Sequence, residues 1–208
     1  MYYTNENFAK LENISQEALA DFQIYHDLLV KWQKAVNLIS PNTIDKIWHR
    51  HFADSVGLYN HIPSDVKTIA DVGSGGGLPA IVCAIMAKGK NRKLHITMIE
   101  SDNKKCMFLK ECVRILKLNA TVINERVENV KGEQFDLMTA RALAKFTTLL
   151  FMADSLSIKS VLLQKGEKWE SEINDATKKY SFQYTHHVSI TNGNAKVIHS
   201  TQCEKIKF

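Results

Sequence analysis

Apolar residues in the first third of the chain recur every three or four positions, which is the spacing of one face of an α-helix. The first run begins after Ser15, a residue suited to an N-cap, and ends near Asn37. The second run follows Thr43, which can cap it, and ends at Ile62-Pro63. The pattern therefore predicts two helices in an N-terminal extension, residues 1–63, that precedes the first strand.

Beyond residue 63 the pattern changes to short apolar or β-branched runs that are separated by helical stretches. The predicted strands are Lys67–Val72, Leu94–Glu100, Thr121–Glu125, Phe135–Thr139 and Ser160–Gln164. The predicted helices are Leu78–Lys88, Asn103–Leu118, Lys145–Ser155 and Glu167–Tyr180. Strands that alternate with helices predict an α/β fold, a parallel sheet with helices on both faces.

The C-terminal segment breaks this alternation. Phe182–Ile190 and Lys196–Ile206 are two strand-like runs, and Asn192-Gly193 between them is a strong hairpin signal. Five parallel strands followed by an antiparallel hairpin resemble the seven-stranded, Rossmann-like plan of the class I methyltransferases, an analogy of fold only. We predict one globular unit, in which a Rossmann-like domain, residues 64–208, carries the extension, residues 1–63, packed on it.

Composition narrows the class of protein only slightly. The 27 Lys and Arg exceed the 22 Asp and Glu, and the net charge of +5 is compatible with a polyanionic partner without proving one. Neither the four cysteines nor the histidines have the spacing of a metal site, so we expect no metal. We also expect a cytoplasmic protein without a membrane anchor, and nothing implies an obligate protein partner.

The most informative segment is a glycine-rich turn after the first predicted strand. It reads Asp71-Val72-Gly73-Ser74-Gly75-Gly76-Gly77-Leu78-Pro79. Glycine permits positive φ and lets a ligand touch the backbone. The spacing differs from the G-x-G-x-x-G of dinucleotide sites, and a plain strand-to-helix turn is the alternative. We predict that Gly73, Gly75, Gly77 and Leu78 belong to a cofactor site.

Acidic residues indicate which cofactor this turn binds. Asp71 would repel a pyrophosphate but suits a cationic ligand, by direct or water-mediated contact with a methionine amino group. Glu100 ends the second strand, where an acid can accept both ribose hydroxyls, although an ordinary surface acid is the alternative. Val127 and Glu128, after the third strand, can border the adenine. The set favours S-adenosylmethionine over NAD.

Four stretches resemble a known family, the bacterial guanine-N7 methyltransferases of 16S rRNA, formerly called glucose-inhibited division protein B. They are Asn37–Ser40, Arg50-His51-Phe52-Ala53-Asp54-Ser55, Asp71–Pro79, and Arg126–Glu128 with Phe135-Asp136 and Ala140–Ala142. The second stretch is the most specific, because other methyltransferases lack it. The resemblance covers nearly the whole chain and implies that Gly73, Leu78, Val127, Glu128 and Arg141 line the cofactor site. Phe52, Ala53 and Gln164 depart from the usual family pattern.

The segment after the fourth predicted strand, Thr139–Ala142, indicates the reaction by what it lacks. It holds no Asn-Pro-Pro-Tyr to orient an exocyclic amine and no cysteine to attack a pyrimidine. Guanine N7 needs neither, since its lone pair is unprotonated and can attack the sulfonium methyl once aligned. With the resemblance, this predicts methyl transfer from S-adenosylmethionine to guanine N7 of 16S rRNA, as RNA or in the 30S subunit.

Two alternatives to this function remain open. One is methylation of another RNA or of a small molecule. The other is an RNA-binding scaffold that has lost its cofactor, which the intact Asp71, glycines and Glu100 disfavour.

Polar residues near the fourth strand receive predicted roles. Arg141 is expected to orient the base by donating toward O6 or a phosphate, and a structural salt bridge is the alternative. His51 and Asp54 are expected beside it as further catalytic residues, unless Asp54 merely satisfies a buried His51. The predicted RNA contacts are Arg50, Ser55 and Lys165, and a solvated lysine is the alternative for the last.

Overall fold

The first part of the chain is helical. The computed structural model describes residues 2–11 and 14–206. Helix α1, Gln16–Gln33, begins where the Ser15 side chain accepts a hydrogen bond from the Ala18 amide, as an N-cap does. It ends earlier than predicted because the Gln33 side chain accepts from the Leu38 and Ile39 amides and so holds the chain in a turn.

The second predicted helix is not one α-helix, so that prediction is wrong in detail. The segment has a 3₁₀ turn, Pro41–Lys46, then a π-helical stretch, Ile47–Ala53, then helix α2, Asp54–Tyr59. π-Helical turns are rare and occur mostly at functional sites. Because Arg50 and His51 lie in that stretch, the α-helical spacing that would stack His51 on Ser55 does not apply.

The strands lie close to their predicted positions. The five parallel strands are β1 Thr68–Val72, β2 His95–Glu100, β3 Ala120–Asn124, β4 Leu137–Arg141 and β5 Val161–Lys165. The hairpin strands are β6 Tyr180–Val188 and β7 Lys196–Lys205. The remaining helices are α3 Ala80–Gly89, α4 Asn103–Leu116, α5 Phe146–Ser155 and α6 Trp169–Ala176. The last predicted helix was too long, since Tyr180 begins β6.

All seven strands form one sheet in the order β3-β2-β1-β4-β5-β7-β6. The hairpin joins through β7, which pairs with β5 in antiparallel register. This arrangement confirms the predicted α/β fold class. The strand order reverses between β1 and β4, and ligands of open α/β sheets bind at the carboxyl ends of strands beside such a switch point.

Two hydrophobic clusters cover the sheet. One contains residues of the N-terminal extension together with α3 and α4, including the fully buried Phe22, Tyr25, Phe52 and Phe108. The other lies under α5 and α6 and contains Phe146 and Trp169. The extension therefore shares a core with the sheet. Over the residues that the structure describes, no helix has the length and apolar character needed to cross a membrane.

Candidate functional site

A cavity of about 340 Å³ opens at the carboxyl ends of β1, β2 and β4, beside the switch point. The structure brings most of the predicted cofactor residues to its wall. These are Gly73, Gly75, Glu100, Val127, Glu128 and Arg141. Three other predicted residues, Asp71, Gly77 and Leu78, do not line it. We call this space the first cavity.

The glycines of the loop have different physical reasons. Gly73, Gly75 and Gly77 all have positive φ, at +65°, +55° and +81°. A Cβ on Gly73 would lie 2.6 Å from the Leu143 side chain, and one on Gly77 would lie 3.1 Å from the Tyr25 hydroxyl. A Cβ on Gly75 would have only the Gly73 carbonyl oxygen near it, at 3.7 Å. Packing therefore requires glycine at 73 and 77, whereas at 75 the space is open toward the first cavity.

Glu100 fastens the glycine loop to the end of β2. Its carboxylate accepts hydrogen bonds from the Gly75 amide and the Asp102 amide, each at 2.9 Å. A carboxylate has about four lone-pair directions, so two remain for a ligand's hydroxyl groups. The alternative of an ordinary surface acid is wrong, because Glu100 is buried.

Asp71 lies inside the sheet. Its Oδ1 accepts a hydrogen bond of 2.7 Å from the Thr139 hydroxyl on β4, and its Oδ2 has no partner among the described residues. Burial raises the pKa of Asp71 to about 6. The structure therefore does not bring Asp71 to the cavity wall, and its visible role is to join β1 to β4.

A second cavity, of about 420 Å³, lies beside the first. Arg141 and Ala142 line both cavities, so the end of β4 stands between them. The other lining residues are mostly polar and come from the π-helical stretch, β5, α6 and the hairpin, among them Arg50, Asp54, Gln164, Lys165, Glu172 and Thr191.

Arg141 is held by the π-helical stretch. Its Nη2 donates to the Arg50 carbonyl oxygen at 2.6 Å and to His51 Nδ1 at 2.9 Å, and lies 3.6 Å from Asp54 Oδ2. Its Nη1 is buried and has no hydrogen-bond partner in the described part of the chain. One side of the guanidinium is thus fixed, and the other keeps a donor to spare.

The hydrogen bonds of His51 settle its protonation. Thr43 Oγ1 donates to the Ser40 carbonyl, so it accepts from His51 Nε2, 2.8 Å away. His51 Nδ1 is then the acceptor that faces Arg141. Burial and the nearby Arg141 and Arg50 lower the pKa of His51 to about 3. Neutral His51 supports Arg141, and the alternative that Asp54 satisfies His51 is wrong.

Asp54 connects α2 to the hairpin, a link that sequence reasoning missed. Its Oδ1 accepts from the hydroxyls of Ser189 at 2.6 Å and Thr191 at 3.0 Å. Its backbone carbonyl accepts from Gln164 Nε2 at 2.7 Å. No sequence pattern signals Ser189 or Thr191, because they lie 135 and 137 positions from Asp54.

Two of the predicted RNA contacts are corrected by the structure. Ser55 is fully buried, so it offers no surface to RNA. Lys165 is 9% exposed, and its ammonium donates to the Ala144 carbonyl and pairs with Glu172 at 2.6 Å. This internal ion pair also excludes the solvated-lysine alternative. Arg50 remains exposed at the second cavity and makes no ion pair within the described residues.

Comparisons with known proteins agree with this geometry. Residues 18–201 match the family described as rRNA small subunit methyltransferase G. The chain is 36% identical over 180 residues to the ribosomal RNA small subunit methyltransferase G of Dinoroseobacter shibae, covering 86% of this chain and 92% of the relative. It is 34% identical over 194 residues to that of Rickettsia prowazekii, with coverage of 93% and 98%.

Among solved structures, an O-methyltransferase from Bacillus cereus in complex with SAH has a TM-score of 0.58 at 12% identity. The match covers 95% of this chain and 96% of that one. At this identity the likeness shows the fold alone, which is that of a methyltransferase. Sequence and fold together show that the chain belongs to the rRNA small subunit methyltransferase G family.

Proposed function

We propose that this chain is a small-subunit rRNA methyltransferase that transfers the methyl group of S-adenosylmethionine to N7 of a guanine in 16S rRNA. One observation carries the proposal: a cavity walled by the glycine loop and a polar second cavity meet at Arg141. A methyl donor in one and a base in the other would face each other across that residue. Family membership supports the class of substrate.

The first cavity fits S-adenosylmethionine in several respects. When bound, this cofactor supplies an electrophilic methyl group on a sulfonium. The open space at Gly75 lets a ligand approach the backbone closely, and Glu100 has acceptor directions left for ribose hydroxyls. Val127 offers an apolar surface for an adenine edge. The carboxylate of Asp71, which follows the wall only one residue behind Val72, favours a cationic ligand electrostatically.

The surroundings of Arg141 favour a nucleophile that has no proton to lose. His51 is neutral, and its Nδ1 lone pair already accepts from Arg141. The Asp54 carboxylate is engaged with Ser189, Thr191 and Arg141. These side chains are therefore occupied in positioning Arg141 and are not free to act as a general base. Guanine N7 needs no base, and the spare Nη1 donor of Arg141 matches its neighbour O6.

Methyl transfer tests the proposal directly. Tritiated S-adenosylmethionine is supplied with naked 16S rRNA or with 30S subunits from a strain that lacks this enzyme, and the labelled nucleotide is located by mass spectrometry. We expect one labelled guanine. Replacing it by 7-deazaguanine removes the nucleophile and keeps the shape, so labelling should stop. Continued labelling at that nucleotide would refute N7, and label only on another RNA or on small molecules would refute the substrate.

A further inference from the structure

Gln164 on β5 lies directly beside Arg141 on β4, because the two residues are partners in the parallel strand register. Both line the second cavity, but only Arg141 also lines the first. From the first cavity outward, Arg141 is therefore met before Gln164. A base that enters the second cavity passes along both side chains.

The orientation of the Gln164 amide is fixed by its partner. One end donates to the Asp54 carbonyl oxygen at 2.7 Å, and a carbonyl can only accept, so that end is Nε2. The other end is Oε1, which is buried and has no hydrogen-bond partner in the residues that the structure describes. A buried acceptor without a partner destabilises the fold and calls for an explanation. The same is true of the buried Arg141 Nη1.

The two unpaired atoms form a donor and an acceptor on neighbouring strands. Around the guanine ring the groups follow in the order N7, O6, N1–H and 2-amino. With N7 toward the first cavity, O6 accepts from Arg141 Nη1, and one of the two following donors lies toward Gln164 Oε1. Adenine has a donor in place of O6 and a bare lone pair at N1, so it opposes both atoms. The contact requires the base to displace the side chains that now cover Oε1.

We infer that Gln164 is a specificity-determining residue whose Oε1 accepts a hydrogen bond from the Watson–Crick edge of the target guanine. The inference rests on the proposed function, since it takes a guanine as the occupant of the second cavity. It assigns the choice of base to a residue of β5, whereas Arg141 orients that base beside the methyl donor. Gln164 is a recognition residue in this account and takes no part in the chemical step.

The test combines changes in the protein with changes in the base. Ligated 16S rRNA carries guanine, hypoxanthine or 2-aminopurine at the methylated position. Hypoxanthine lacks the 2-amino group, and 2-aminopurine lacks O6 and the N1 proton. The quantity measured is kcat/KM for wild type, Gln164→Leu and Gln164→Glu. Gln183→Met is the matched control, because Gln183 lies on β6 and does not line the second cavity.

We expect Gln164→Leu to lower kcat/KM for guanine about five- to tenfold, the effect of one neutral hydrogen bond. Its preference for guanine over the analogue that lacks the recognised donor should fall by the same factor. Gln164→Glu keeps an acceptor oxygen and should keep the preference. Gln183→Met should behave as wild type. All variants should bind S-adenosylmethionine normally, since Gln164 does not line the first cavity.

Two results would overturn the inference. One is an unchanged preference against both analogues in Gln164→Leu that binds the cofactor normally. The other is a lost preference in Gln164→Glu, which decides the matter even if Gln164→Leu fails to fold. Failure of the proposed function looks different, because the wild type itself would then not methylate guanine in this RNA.

Discussion

The Tyr25 hydroxyl should contribute to cofactor binding although Tyr25 belongs to the N-terminal extension. It donates a 2.5 Å hydrogen bond to the Gly76 carbonyl oxygen from a fully buried ring that stacks on Phe52. Gly76 also lies against the Leu38 backbone, since a Cβ there would be 2.9 Å from the Leu38 oxygen. Tyr25→Phe leaves a buried carbonyl unpaired, at a cost of about 1–3 kcal/mol. If binding must restore the loop, about 1–2 kcal/mol of this raises the cofactor Kd roughly 5- to 30-fold.

The assay is calorimetric titration with S-adenosylmethionine, beside urea unfolding of the same variants. Tyr59→Phe is the matched control, because Tyr59 is also buried in the extension but lies against Lys90 and Arg92, away from the glycine loop. We expect both variants to lose some stability and only Tyr25→Phe to lose affinity. A wild-type Kd for Tyr25→Phe, or equal losses of affinity in both variants, would refute the reasoning.

Three substitutions within the site have equally definite outcomes. Gly75→Val should abolish calorimetric binding of S-adenosylmethionine, since it places a branched side chain at φ +55° beside open space, and normal binding would exclude Gly75 from the site. Arg141→Lys should fold but lose about ten- to a hundredfold in kcat at saturating RNA, because a point charge cannot bond the Arg50 carbonyl and His51 together; undiminished turnover would remove Arg141 from the site. Burial raises the pKa of Asp71 to about 6, above its unfolded value, so its protonation stabilises the fold at low pH and this contribution is lost as the pH rises to about 6. In urea unfolding, wild type should therefore lose stability relative to Asp71→Asn between about pH 4 and pH 7, by up to about 3 kcal/mol, and a constant difference would contradict the assigned burial cost.

The first cavity could be predicted because its residues follow from strand ends. Gly75, Glu100 and Val127 come directly after β1, β2 and β3, and the carboxyl ends of parallel strands meet at one edge of a sheet. Asp71 shows the limit of this reasoning. It lies on β1 itself, so the sheet buries its side chain against Thr139 on the neighbouring strand. A carboxylate close to a ligand in sequence is thus separated from it by one turn of backbone.

Exposure was harder to predict than position. Lys165 ends β5 at the expected edge, but Glu172 on α6 reaches it and withdraws its charge into an ion pair. Ser55 follows the specific Arg-His-x-x-Asp-Ser stretch, yet the change from π-helix to α2 turns it into the core. Both outcomes depend on elements that pack from elsewhere in the chain, and no local pattern of apolar residues encodes them.

The Arg-His-x-x-Asp-Ser stretch is best understood as the support of an arginine that lies ninety positions away. Arg50 contributes its carbonyl oxygen, His51 a lone pair and Asp54 a carboxylate, and all three face Arg141. A protonated His51 would lose that lone pair and place a second positive charge against the guanidinium, so the support requires a neutral imidazole. Thr43 supplies the condition by accepting the Nε2 proton, and burial lowers the pKa of His51 to about 3. The histidine therefore works by staying uncharged, which leaves Arg141 as the charged group between the two cavities.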